Sequence, residues 1–170
     1  MKKILLITAF LLLILPFIKY EVENPSSQFN MSSYEELNKE EQKQVDCLAL
    51  NIYREAAQES DDGKIAVALV TMNRVKTVGF PDSVCKVVQQ KTKNTCQFSW
   101  KCLPHLPKIN QDSYKYIRDI ATHVFLNHDL LDDITLGALF YHADYVRPKW
   151  KKLEVTTKIG RHIFYKPLEI

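Results

Sequence analysis

The chain has 170 residues, 46% of them hydrophobic and 25% charged, with four glycines, which is material for one globular domain with a proper core and too little for two. Its net charge is +3, and the three lysines at positions 2, 3 and 19 account for all of it, so the remainder is near neutral in sum. The charges are nonetheless segregated. Positions 83 to 111 hold no acid, and Glu154 stands alone among seven basic residues between Arg147 and Lys166, so one side of the domain should be basic.

The first twenty residues differ in kind from the rest. Lys2 and Lys3 precede an apolar run over residues 4–18 that only Thr8 and Pro16 interrupt, the pattern of an export signal. No pair of small residues marks a cleavage site, and the run is shorter than a comfortable bilayer span. A cleaved peptide and a retained anchor holding the chain to the inner membrane are therefore both open. Either way the remainder is expected outside the cytoplasm, in the periplasm or cell envelope. A basic surface there suits an anionic polymer such as cell wall, and export makes nucleic acid the poorest of the partners it could serve.

Residues 21–32 are polar, include Pro25-Ser26-Ser27, and read as a tether, so the domain is expected over 33–170. Ser33 with Glu36 has the spacing of a capping box, and the helix it opens is expected to run to about Gln58. Within it Val45, Leu48, Ala49, Ile52 and Ala56 share one face at about 100° per residue, with Glu55 on its border and Glu59 beside it. Desolvation raises a carboxyl pKa and a neighbouring carboxylate raises it further, so such a pair can keep a proton near neutrality, as glycosidic cleavage requires. An ordinary solvated helix end satisfies the same spacing.

Asp61-Asp62-Gly63 opens a second helix whose Ile65, Val67, Leu69, Val70 and Met72 point all round, so it must be buried. Gly79 and Pro81 end it, and Ser83 is placed to cap a short third helix through Gln90. Between 91 and 110 two prolines, two cysteines and Phe98 with Trp100 predict an irregular segment or small hairpin. Tyr114, Ile117, Ile120, Ala121, Val124 and Phe125 define a further helix ending near Asn127, and a short helix is expected over 137–141. The tail around Gly160 alternates weakly and reads as a strand element. The class is mostly α with a small β-hairpin element.

Cys47, Cys85, Cys96 and Cys102 are an even number in a compartment where disulfides persist, and three pairings are open. Their gaps fit no common zinc finger. The five histidines form no His-Glu-x-x-His, and His123 and His128 are five apart, poorly placed for one helical face. A zinc-type amidase therefore has little support, and no metal or other cofactor is expected.

Taken in order, the segments resemble the SleB-like cell wall hydrolases. The blocks are Cys-Leu-Ala-Leu-Asn-Ile-Tyr-Arg-Glu-Ala at 47 to 56, Gly63 with Asn73-Arg74-Val75, Phe80-Pro81 leading to Cys85, Cys96-Gln97-Phe98-Ser99-Trp100 with Cys102, Gly137-Ala138 with Tyr141-His142, Pro148 with Trp150, and Ile159-Gly160-Arg161-His162-Ile163-Phe164-Tyr165. The resemblance implies a lysozyme-like, lytic-transglycosylase-related fold acting on peptidoglycan, and a monomer is expected. It implies Glu55, the first glutamate of the family's Glu-Ala-Arg-Gly-Glu motif, as catalytic acid, and the pairings Cys47 with Cys85 and Cys96 with Cys102. It also places Gln97, Ser99, Tyr141 and His142 at the sugar groove; Phe98 is assigned to the core and Ser99 to the groove. Glu59 is retained as a second acid, either substrate-facing or structural.

The motif's arginine and glycine are Ala57 and Gln58 here, a departure that would take a cation from beside the acid. The expected activity is scission between N-acetylmuramic acid and N-acetylglucosamine by a lytic transglycosylase, which needs one carboxyl group. A muramidase-type hydrolase and a non-catalytic wall-binding descendant are the alternatives, and a phage endolysin is one biological setting that compact size and an anchor-like run would fit.

Overall fold

The computed structural model describes residues 32–168 apart from 92 and 94. The export segment, most of the tether and the last two residues of the expected domain lie outside the described residues. Five α-helices and a three-stranded antiparallel sheet follow in order: α1 (Ser32–Glu36), α2 (Lys39–Ala56), α3 (Asp61–Lys76), α4 (Val84–Gln89), a 3₁₀ turn (Ser99–Cys102), α5 (Gln111–Asn127), β1 (Phe140–Ala143), β2 (Leu153–Ile159) and β3 (His162–Pro167). Mostly α with a small β element is the class that the periodicities pointed to.

The helix expected from Ser33 to about Gln58 is broken in two, ending at Glu36 and starting again at Lys39. Ser33 lies inside α1, and the capping box forms at Asn38: its side chain accepts from the backbone N–H of Glu40 and Glu41, while the Glu41 carboxylate accepts from Asn38 N at 2.9 Å. From there the predicted stripe behaves as expected. Val45, Leu48, Ala49, Ile52 and Ala56 are all buried, against Val67, Ala68, Leu69 and Met72 of α3 and Ile117, Ala121 and Val124 of α5. The all-round apolar character of α3 also has its reason. One side of it enters this main core, while Ala66 and Val70 enter a second core with Ala138 and Phe164 under the sheet. Ser83 occupies the N-cap position of α4 without a side-chain capping bond, and α5 is capped by Asn110, which accepts from Ser113 N at 2.9 Å.

The short helix expected over 137–141 is instead a turn followed by β1. Leu136 and Gly137 both have positive φ, which ends any helix there, and Phe140–Ala143 then pairs with β3 in the register Tyr141 to Phe164 and His142 to Ile163. The strand order is β1-β3-β2, so the predicted hairpin supplies the centre and one edge and β1 completes the other. Asn73 of α3 fixes the approach to β1: its side-chain amide donates to Asp133 Oδ2 at 2.9 Å and to Ala138 O at 3.2 Å.

Disulfides join Cys47 to Cys85 and Cys96 to Cys102, the pairing that the resemblance implied. The first ties α2 to α4. The second closes the short loop that presents Gln97, Phe98 and Ser99.

Candidate active site

A cleft of about 440 Å³ runs between the end of α2 and the sheet. Several pieces of chain build it: the last turn of α2 brings Arg54 and Glu55, α3 brings Arg74, the disulfide-closed loop brings Gln97 to Trp100, β1 with β3 brings Phe140 to Ala143 and His162, and the segment after β1 brings Tyr145, Val146 and Trp150. Among the described residues that line it, Glu55 is the only acid.

Burial pushes the Glu55 carboxyl above its ordinary value of 4.5, although the Tyr141 hydroxyl and the Arg74 guanidinium both act to lower it. Desolvation wins because the carboxyl is backed by the apolar stripe of its own helix. Tyr141 is also raised, well above 10, by burial and then by the facing Glu55 charge, so its hydroxyl keeps its proton. That hydroxyl is buried without a hydrogen bond of normal geometry and faces the acid.

Arg74 is the residue that sequence reasoning left out of the site. It is 2% exposed, donates from Nε to Leu139 O at 2.7 Å, and lies within 6 Å of the ring centres of Phe80, Phe98 and Phe140. Such a cage holds a guanidinium by cation–π attraction while leaving its charge felt at Glu55. In the amide orientation that satisfies both partners, Gln97 Oε1 accepts from Arg74 Nη1 and Nη2 at 3.2 and 3.1 Å. The sequence did carry a signal: an arginine within a helix apolar on all sides must be buried, and a buried arginine must be paired.

The other predicted positions divide. Gln97, Ser99, Tyr141 and His142 all line the cleft, and Phe98 is buried, 3% exposed. Gln97 spends its oxygen on Arg74. Both ring nitrogens of His142 are engaged, Nδ1 with Ala143 O at 2.8 Å and Nε2 with the Tyr165 hydroxyl at 2.9 Å, so it presents a ring to the cleft and no free nitrogen. Trp100, also in the wall, donates from Nε1 to Asn51 Oδ1 at 3.1 Å, and Asn51 donates to Thr71 Oγ1 at 3.3 Å, a buried polar chain that fixes the indole.

Glu59 is not part of the cleft lining. Its carboxylate accepts from Arg161 N, at the β2–β3 turn, at 3.1 Å. The two glycines around it make room. A Cβ on Gly63 would stand 2.7 Å from Glu59 Cβ, and a Cβ on Gly160, whose φ is +55°, would overlap the carboxylate itself. Glu59 thus fastens the hairpin to the α2–α3 corner.

The four thiols that a zinc site could use are consumed in the two disulfides, and among the described residues no three His, Cys, Asp or Glu side chains converge as a metal-holding group.

Two solved structures share the fold. The catalytic domain of the germination-specific lytic transglycosylase SleB from Bacillus anthracis is 29% identical, with a TM-score of 0.55 over 74% of this chain and 95% of that one. The catalytic domain of the Bacillus cereus SleB protein is 27% identical, with a TM-score of 0.51 over 74% and 91%. No curated protein matches the chain. The family model for cell wall hydrolases matches residues 58–165, from just after Glu55 into β3, so the disulfide-closed loop, Arg74 and the sheet side of the cleft all fall within it. The chain belongs to the cell wall hydrolase family.

Proposed function

We propose that this protein cleaves the glycan strand of peptidoglycan between N-acetylmuramic acid and N-acetylglucosamine as a lytic transglycosylase, with Glu55 as its acid and base. The observation that carries this reading is a single cleft acid whose burial raises its pKa. A protonated Glu55 gives its proton to the glycosidic oxygen as the bond from the anomeric carbon breaks. The carboxylate left behind takes the proton from the muramic C6 hydroxyl as that oxygen attacks the anomeric carbon, closing a 1,6-anhydro ring. No water is consumed, and the acid is restored. Arg74 and the Tyr141 hydroxyl, which both stabilise the carboxylate, favour the first half of this cycle, in which the proton leaves Glu55.

A hydrolase needs a second group to activate water or attack the sugar. Glu59, the neighbouring acid, is occupied at the hairpin turn, which favours the one-carboxyl route. The two disulfides accord with the export segment read in residues 1–20 and with a substrate outside the cytoplasm.

Purified protein should clear a peptidoglycan suspension, and mass spectrometry should find 1,6-anhydromuramoyl ends. Glu55→Gln should lower the rate by at least about 100-fold with little change in melting temperature, the scale of a lost general acid. Reducing ends would point to hydrolysis. Binding without release of soluble fragments would remove the enzyme reading.

A further inference from the structure

Beside the cleft, on the far side of a wall made by His142 and Trp150, lies a second groove of about 430 Å³. The wall is aromatic and braced: the Trp150 ring centre is 5.6 Å from those of His142 and of Tyr165. Val146 lines both grooves as well. The second groove has an apolar floor of Leu153, Ile163 and Tyr165, with Arg147 at its rim.

Its two charged lining residues are Asp144 and Arg147, and only the first has an ion-pair partner. Asp144 is already engaged, with Lys158 at 3.3 Å and Arg161 at 3.8 Å, and Lys166 meets Glu154 at 3.3 Å. Arg147, and outside the groove lining Lys149, Lys151 and Lys152 of the same connecting segment, form no ion pair among the described residues. A ligand for this place should therefore carry carboxylates toward the rim and small apolar groups toward the floor.

We propose that this groove receives the acidic stem peptide of peptidoglycan, with Arg147 pairing a stem carboxylate. The proposal rests on the glycan strand occupying the neighbouring cleft. Each stem leaves the strand sideways, from the lactyl group of a muramic acid, so a strand seated at Glu55 delivers one to an adjoining groove. Its alanine methyl groups suit the apolar floor and its free carboxylates suit the unpaired cations.

The test uses the full chain on two substrates freed of wall teichoic acid: stem-bearing peptidoglycan, and the same strands after amidase removal of the stems. Wild type should favour the stem-bearing form, and Arg147→Glu should reduce the ratio of the two kcat/KM values by about fivefold, through KM, while Arg147→Lys keeps most of it. Arg147 is exposed, so its replacement should fold. A ratio unchanged by Arg147→Glu overturns the proposal, as does a wild type indifferent to stems. If wild type cuts neither substrate, the catalytic reading has failed, and co-sedimentation with stem-bearing peptidoglycan then decides: equal retention of wild type and Arg147→Glu rejects the groove, and weaker retention of the variant supports it.

Discussion

Gly160→Ala is the substitution whose cost can be worked most directly from the geometry. The residue sits at φ +55°, a left-handed conformation that costs an L-residue about 1 to 2 kcal/mol. The added Cβ would also overlap the Glu59 carboxylate and drive it from the hairpin turn. The bond lost is the one from Arg161 N, at 3.1 Å, and a hydrogen bond to a charged group is worth about 1.5 to 3 kcal/mol. The single variant should therefore lose about 2.5 to 5 kcal/mol of unfolding free energy.

The two contributions separate in a double-mutant cycle with Glu59→Ala. In that background there is no carboxylate to displace, so Gly160→Ala should cost only the backbone term of about 1 to 2 kcal/mol. The coupling, about 1.5 to 3 kcal/mol, is the share owed to the clamp. Urea unfolding of the four proteins, with m-values checked for constancy, measures it. If Gly160→Ala costs the same with and without Glu59, the carboxylate is not the fastening, and Glu59 returns to being a candidate for the chemistry.

Two further outcomes follow from Glu55 and Arg74. A carboxyl whose folded pKa is raised holds its proton more tightly in the folded state, so it favours folding below its unfolded value of 4.5 and loses that contribution as pH rises to the folded value. Glu55→Gln, which has no such proton, should therefore gain stability relative to wild type as pH increases above 4.5, and a difference independent of pH between 4 and 8 would contradict the burial of the acid. Arg74→Met removes a group that lowers the Glu55 pKa, so the alkaline limb of kcat/KM should move to higher pH, while Leu139 O and Gln97 each lose a partner at a cost of about 1 to 3 kcal/mol per group left unpaired. Arg74→Lys keeps the cation and should hold the limb near its wild-type position while still losing stability; a limb that stays put in both variants would place the Arg74 charge outside the site's electrostatics.

What was legible in the sequence was local. The buried stripe of α2 follows from a 3.6-residue period, and the depth of α3 from apolar residues on every side, because both signals are written within one helix. The break between α1 and α2 was missed for a local reason, the capping box at Asn38 and Glu41 that starts the second helix. The other errors lie where distant chain decides. The segment 140–143 is a strand because β3, some twenty residues later, pairs with it. Glu59 looked like half of an acidic pair because its helical neighbour is Glu55, whereas its partner is Arg161, 102 residues away.

The departure at Ala57 and Gln58 has to be weighed in the same spatial terms. An arginine at 57 would have stood two residues from Glu55 along the chain, and its absence suggested an acid without a cation. In the folded protein the cation comes from α3: Arg74 crosses to Glu55 under three phenylalanine rings and is anchored at Leu139 O. A charge held this way is fixed by partners from three parts of the chain, and rigid placement is what an acid that must first give and then regain a proton requires of its counter-charge. The substitutions between the two glutamates therefore still leave Glu55 one cation, Arg74. Activity comparable in Ala57→Arg and wild type would be the expected result, and a gain of more than about tenfold in the variant would show that Arg74 does not supply what position 57 lacks.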